Sequence, residues 1–322
     1  MFIVRDSRTF IANSYNDRQN LYAEKVKKGS IISSDGNVLA ETITDGDGNE
    51  YRNYPYANVF AHAVGYDSNG QAGLEMNSAY YLLASNQNII TKTYNKLKDE
   101  KSIGNNVIST LNYTLQSTAY DALGYNDGAV VVMEPSTGKI LTMVSKPDFD
   151  PNTLAENWEI LNTDEENSPL LNRATNGSYA PGSVFKIVTA LAYMRQDTDY
   201  NSYSYDCQGS ITEDHVTIRC FNGTVHGYED LRSSFANSCN ASFANIGLSL
   251  DVDGYRETAE SLLFNKKLPS VMDYTKSSFV LDAKSGSAEI MMTAMGQGKT
   301  MVSPYHICLL YTSDAADEAR SV

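Results

Sequence analysis

The chain has 322 residues, 42% of them hydrophobic and 10% aromatic, a size and composition that fit two folded domains and exclude a disordered chain. Lysine and arginine total 25 against 39 acids, and the net charge of −14 excludes non-specific nucleic-acid binding, because the phosphate backbone is repelled. No apolar run approaches the roughly 18 residues that span a bilayer, and the opening "MFIVRDSRTF" has no signal-peptide core before Arg5 and Asp6 interrupt it.

The first hundred residues are rich in Asn, Tyr, Gly and Asp, and "SSDGNV" and "TDGDGNEY" predict hairpins whose Asp-Gly and Gly-Asn pairs supply positive φ. Asp45, Asp47 and Asn49 imitate the opening of a calcium loop. Glu50 stands where that loop needs glycine and Tyr56 where it needs a bidentate glutamate, so a solvated hairpin tip is the better reading. "AGLEMNSAYYLLAS" has helical apolar spacing, and the polar "NKLKDEKSIGNN" that follows predicts a boundary near residue 105. "NVISTL" then reads as a strand, Asn112 as the cap of the helix "YTLQSTAYDALG", and "GAVVVMEPSTGKILTMVS" as a hairpin around Pro-Ser-Thr-Gly. From Ser183 onward helices prevail, with short strands near 210 to 220. Strands and long helices in one unit predict an α+β or α/β domain. Cys207, Cys220, Cys239 and Cys308 are too few for a disulfide framework and lack zinc-ligand spacing. Cys207 and Cys220 flank two short strands, so a cross-strand disulfide competes there with two buried free thiols.

"YAPGSVFKIVTALAYM" carries the most information. Pro181 and Gly182 stop the preceding chain, and Val184, Phe185, Ile187, Val188, Ala190, Leu191 and Ala192 make the following helix apolar nearly all round, the mark of a core helix. Ser183 and Lys186 share one face of its first turn. Burial drives a lysine towards the neutral amine, and an amine beside a hydroxyl is a base–nucleophile pair. The helix N-terminus adds N–H donors where an oxyanion would form. The competing reading makes Ser183 a plain N-cap and lets Lys186 reach solvent. In "LRSSFANSCNASFANIGLSL", Ser238 and Asn240 would diverge on one helix, so sharing a site requires a turn between two helices. There the hydroxyl could relay a proton, and the carboxamide could bind a substrate amide or hold the lysine. Alone, the pair reads better as capping residues in a helix–helix turn.

The two motifs in this order, within their flanks, resemble the class B penicillin-binding proteins, the monofunctional transpeptidases of bacterial cell-wall synthesis. "GSIISSDGNVLAET" is similar to that family's Arg-Gly-x-Ile hairpin, with Lys28 in place of the arginine, and "AGLEMNSAYYLLA" to its Gly-Leu-Glu helix. "GAVVVMEPSTGKILTMVSKPDFDPN" is similar to the opening hairpin of the transpeptidase domain, and "LNRATNGSYAPGSVFKIVTA" and "FANSCNASFANIG" to the S-x-x-K and S-x-N regions. The resemblance implies an α+β serine β-lactamase-like fold with a five-stranded antiparallel sheet over residues 106–306, preceded by an elongated β-rich pedestal over 1–105. It also implies that Ser183 is acylated by stem peptides ending in D-Ala-D-Ala or by β-lactams. Lys186 is then the general base, Ser238 passes a proton to the leaving amine, Asn240 positions the stem amide, and an amine of a second stem resolves the ester. No metal or cofactor is implied. A place on the outer face of the membrane is implied, and divisome or elongasome proteins are the partners such a pedestal would meet.

Family members complete the site with a Lys-Thr-Gly strand. The only Lys-Thr pair after Ser238 is Lys299-Thr300, followed by Met301, within "TAMGQGKTMVSP", which is similar to the family's Gly-Gln-Gly region rather than to that strand. A phosphate loop is excluded, since Thr293 stands where its first glycine belongs. The closing "ICLLYTSDAADEARSV" fits neither the expected helix nor the strand, so the expectation is a chain truncated at both ends, non-native over 307–322, and inactive by itself. A non-catalytic scaffold or β-lactam sensor is the alternative.

Overall fold

The computed structural model describes residues 25–310 apart from 89–92, 95, 96 and 99; the opening "MFIVRDSRTF" and residues 311–322 of the expected non-native tail lie outside them. The described residues form two compact units. One runs to Gly177 and includes Ser270–Tyr274; the other holds Ser178–Pro269 and the residues from Thr275 on.

In the first unit, strands β1 (Val26–Lys27), β2 (Ile31–Ile32), β3 (Val38–Thr44) and β4 (Glu50–Asn53) precede helices α1 (Ala61–Val64), α2 (Gly73–Asn77) and α3 (Ala79–Leu83). Strands β5 (Ser102–Ile103) and β6 (Val107–Ile108), helix α4 (Tyr113–Leu123), the hairpin β7 (Gly128–Met133) and β8 (Ile140–Lys146), and helix α5 (Leu154–Thr163) complete it. One sheet has the order β4-β3-β2-β6, β1 pairs with β5, and β7 with β8. Both predicted turns form: Gly36 and Gly48 take φ of 87° and 89°, and Asp45 Oδ1 turns inward to accept from the N–H groups of Asp47 (3.0 Å) and Asn49 (2.8 Å). The Asp45 carboxylate is thus committed to the hairpin tip. Asn112 Oδ1 caps α4 by accepting from Leu115 N at 2.9 Å. The segment expected as one helix is two, broken at Ser78 (φ −106°, ψ 1°).

Residues 106–177 share this unit because Met143 and Ala174 sit in one core with Ile31, Leu39, Phe60 and Leu82. Gln116, fully buried in α4, bonds both edges of its surroundings: Nε2 donates to Val59 O and Met143 O, and Oε1 accepts from Met143 N, all at 2.8 Å. The five-stranded sheet implied by the resemblance is not found among the described residues. The β7–β8 ladder is two-stranded, and the later strands, of three or four residues, pair with one another.

A buried charge cluster ties the β1–β2 link and β4 to α2. Glu75 has no exposed surface; its Oε1 meets Arg52 Nε at 2.7 Å and its Oε2 meets Lys28 Nζ at 2.8 Å, while Lys28 also reaches Asp67 at 2.8 Å. Arg52 Nη1 donates to Gly29 O at 2.7 Å. Gly29 is forced here, since a Cβ would stand 2.0 Å from Asn105 O. Lys28, which stands in place of the family's arginine, is therefore a bridging cation.

The first helical element of the second unit is the 3₁₀ turn Gly182–Phe185, which feeds α6 (Lys186–Gln196). Strands β9 (Tyr205–Cys207), β10 (Ser210–Glu213), β11 (Val216–Arg219) and β12 (Gly227–Glu229) follow, then α7 (Leu231–Ala236), α8 (Asn240–Ser249), α9 (Val252–Ser261), α10 (Ser287–Ala294) and α11 (Pro304–Leu309). β10 pairs with β11 and β12 with β9. The helix expected to be buried all round, α6, instead buries one stripe with Val188, Thr189, Ala192 and Tyr193, leaving Met194 exposed. α8 is the enclosed helix: Gly247 lets α10 approach so closely that a Cβ would lie 2.5 Å from Ala294 Cβ. Phe185, Phe243, Tyr255, Phe264, Phe279 and Val302 fill the core, and Ile307 and Leu310 pack against it. No helix among the described residues is long and apolar enough to cross a membrane.

Breaking a buried ion pair leaves its partners uncompensated, which typically costs about 3–5 kcal/mol. Glu75→Gln is therefore expected to lower the denaturant midpoint of unfolding sharply, with Glu75→Asp between it and the parent chain.

Candidate active site

The 3₁₀ turn before α6 leaves Ser183 exposed, and Lys186, the first residue of α6, is 1% exposed. The lysine stands in this inward position because Phe185 and Val188 on either side enter the core, which turns the intervening face of the helix towards α8. Its amine lies between two chain segments. Nζ is 2.7 Å from Ser238 O, 2.7 Å from Asn240 Oδ1, 2.9 Å from Ser238 Oγ and 3.4 Å from Ser183 Oγ. The Phe243 ring covers it, with the centroid 5.5 Å away. All four residues named from the sequence thus meet at one point.

The meeting depends on the predicted turn between two helices. α7 ends at Ala236 and α8 begins at Asn240. Between them Ser238 takes φ of 51°, in the left-handed region that non-glycine residues rarely adopt. Ser238 N donates to Phe235 O (3.1 Å) and Cys239 N to Ser234 O (2.9 Å), which hold that conformation. In this arrangement Asn240 Oδ1 accepts from the lysine and Nδ2 donates to Arg219 O at 3.0 Å, which leaves one lone pair and one N–H of the carboxamide uncommitted. Of the two uses open to it from sequence, this geometry shows the hold on the lysine.

The acceptors sort by what else they can do. Ser238 O and Asn240 Oδ1 can only accept, so they consume two hydrogens of the amine in either protonation state. The two hydroxyls can also donate. When the third proton leaves, the lone pair therefore faces Ser183 and Ser238. Burial pulls Lys186 down to about 8, against the raising influence of Cys239 and Cys220, so about a tenth of it is neutral at pH 7.

"TAMGQGKTMVSP" has a structural part in the site. Tyr179 and Val302 exchange two backbone bonds (3.0 and 2.8 Å), Ser278 and Met301 pair likewise, and Gly182 N donates to Gly296 O at 2.7 Å. These clamp the loop that presents Ser183. Lys299 is 78% exposed on its side chain and pairs with Glu289 at 3.2 Å, remote in role from any phosphate or carboxylate pocket. Sequence reading missed Thr189, whose Oγ1 bonds Tyr255 Oη (2.6 Å) and Ala294 O (2.8 Å) and so locks α6 to α9 and α10. It also missed Gly296, which has φ of 81°; a Cβ there would lie 1.7 Å from Gly182 O. The "GQG" pattern was the available signal.

A model of the penicillin binding protein transpeptidase domain matches residues 128–319, and one of the penicillin binding protein A dimerisation domain matches 28–107. The chain belongs to the class B penicillin-binding proteins. This bears out the resemblance read from the motifs. Peptidoglycan D,D-transpeptidase PbpA of Mycolicibacterium smegmatis is 32% identical over 323 residues, covering 91% of this chain and 63% of the relative. The chain thus spans less than two thirds of that protein's length. Penicillin-binding protein A of M. tuberculosis, solved as an imipenem acyl-enzyme complex, superposes with a TM-score of 0.78 at 27% identity, covering 89% of this chain and 70% of that one. The D,D-transpeptidase domain of a peptidoglycan glycosyltransferase from Eggerthella lenta gives 0.78 at 28% identity over 91% and 70%. The penicillin-binding transpeptidase fold follows from these likenesses.

Gly296→Ala is expected to destabilise the chain by about 2 kcal/mol or more, since the added methyl must displace the Gly182 backbone. Thermal unfolding of this variant beside Gly298→Ala, where the nearest atom to a new Cβ is 3.6 Å away, checks it.

Proposed function

We propose that this protein is a serine D,D-transpeptidase that cross-links peptidoglycan stem peptides through an acyl-enzyme on Ser183. The observation that carries the reading is the position of one buried amine within reach of two hydroxyls, Ser183 and Ser238, with its other hydrogens held by carbonyl acceptors. Ser183 Oγ attacks the penultimate D-alanine carbonyl, its proton passes to Lys186 Nζ, and the C–O bond forms as the carbonyl becomes an oxyanion. The proton moves on through Ser238 Oγ to the amide nitrogen, the C–N bond breaks, and D-alanine leaves. An amine of a second stem then attacks the ester and restores the serine. Asn240 acts chiefly by fixing the lysine. A β-lactam enters the first half of this sequence and stops there. The membrane's outer face, where such stems are found, is the location we propose, with division or elongation proteins as partners of the 28–107 region.

Lys299 does not serve as a third-motif lysine in this proposal, because its exposed amine is engaged by Glu289. Fluorescent penicillin is expected to label Ser183, and Ser183→Ala to abolish the label, while Lys299→Ala labels at the parent rate. Peptide mass mapping locates the adduct. No adduct on Ser183 would overturn the enzyme reading in favour of a scaffold.

Since only the neutral amine can take the serine proton, acylation should rise with pH through an inflection near 8. The rate gains about tenfold between pH 7 and its plateau, if the base is a single group titrating there. Stopped-flow acylation between pH 6 and 10 measures this, and a flat profile excludes Lys186 as the base.

A further inference from the structure

Three of the chain's four cysteines and one of its four histidines converge behind the turn that carries Ser238. Cys207 ends β9, Cys220 follows β11, His226 precedes β12, and Cys239 lies between Ser238 and Asn240. All three cysteines are buried. One ligand atom from each of the four residues lies within 4.8 Å of every other.

The separations favour one interpretation. Cys207 Sγ is 3.7 Å from Cys220 Sγ, Cys220 Sγ is 3.7 Å from Cys239 Sγ, and Cys207 Sγ is 3.4 Å from His226 Nδ1. A disulfide needs about 2.05 Å, so the expected alternative of a Cys207–Cys220 bridge is not formed. A tetrahedral zinc ion with Zn–S near 2.3 Å and Zn–N near 2.05 Å has S···S edges of about 3.8 Å and an S···N edge of about 3.5 Å. Three of the six ligand–ligand separations stand at those values, and none of the six exceeds 4.8 Å. Thiols packed as an apolar cluster would also touch, but they would not draw an imidazole nitrogen into the group. Two of the sulfurs further accept backbone N–H groups, Gly209 N to Cys207 and Ser242 N to Cys239, both at 3.4 Å. Such donors stabilise a thiolate ligand.

We propose that Cys207, Cys220, Cys239 and His226 form a structural Cys₃His zinc site. Soft thiolates with one imidazole suit zinc rather than magnesium or calcium. Binding is not redox chemistry: three thiols release their protons to solvent, and four ligand–metal bonds form. The ion would join the β9, β11 and β12 segments to the first turn of α8. Cys239 is covalently between the two residues that hold Lys186, and Cys220 follows Arg219, whose carbonyl receives Asn240 Nδ2. The metal is thus a positioning element for the Ser238 turn, independent of which reaction the site performs.

The test uses the chain produced without a histidine tag in zinc-supplemented medium. Elemental analysis is expected to return one zinc per chain. His226→Ala and Cys207→Ser should each reduce it to below about a tenth under competition with a chelator, while Cys308→Ser, altering the cysteine outside the cluster, leaves it unchanged. Cobalt substitution should give thiolate-to-cobalt charge transfer and tetrahedral visible bands. A chelator should lower the thermal midpoint, and zinc but not magnesium should restore it. Four freely titrating thiols with no bound zinc, or a non-reducing mass showing a Cys207 disulfide, would overturn the proposal. His226→Ala preserves every cysteine, so it remains informative if Cys207→Ser fails to fold.

Discussion

The second unit depends on where it puts one ammonium group. Lys186 enters α6 between core residues and is almost wholly enclosed, yet its hydrogen-bond partners are neutral oxygens. A carboxylate would hold the proton firmly; carbonyl and hydroxyl oxygens stabilise the cation enough to fold around it without removing its ability to act as a base. That requirement explains the left-handed Ser238, because only a tight turn lets one residue offer both its carbonyl and its hydroxyl to the same amine. The 3₁₀ turn before α6 then brings Ser183 Oγ to the remaining side.

The first unit handles buried charge in the opposite way. Glu75 is paired with Lys28 and Arg52 at hydrogen-bond distance, and the cluster joins segments far apart in sequence. Such a network is stable when complete and costly when any member is removed. It suits a supporting module, where the charge states should not change. The contrast with Lys186 lies in the partners, carboxylate and cations here and neutral oxygens there, and the partners decide how readily a buried proton can leave.

The parts legible in the sequence are those governed by neighbours along the chain. Asn112 caps α4, Asp-Gly and Gly-Asn form their turns, and the Ser183–Lys186 spacing puts both side chains on one helical face, all through contacts within a few residues. The break between α2 and α3 and the uneven burial of α6 escaped, because they answer to packing. Gln116 and Thr189 look ordinary in the sequence, and Gly296 stands out only as part of the Gly-Gln-Gly pattern; their partners Met143, Tyr255 and Gly182 are brought to them only by the fold.

The cysteines mark the limit most clearly. Read along the chain, Cys207, Cys220, His226 and Cys239 show no paired spacing, since each stands in or beside a different element; two antiparallel strand pairs and a helix cap bring their ligand atoms together. By itself the sequence determined the family, the hairpins, the helix cap, and the juxtaposition of Ser183 with Lys186, because motif and helical period are local properties. Tertiary structure alone decided that Asn240 holds the lysine, that Gly296 clamps the serine loop, and that three thiols and an imidazole meet behind the site. Those are consequences of long-range packing, in which distance in space is independent of distance along the chain.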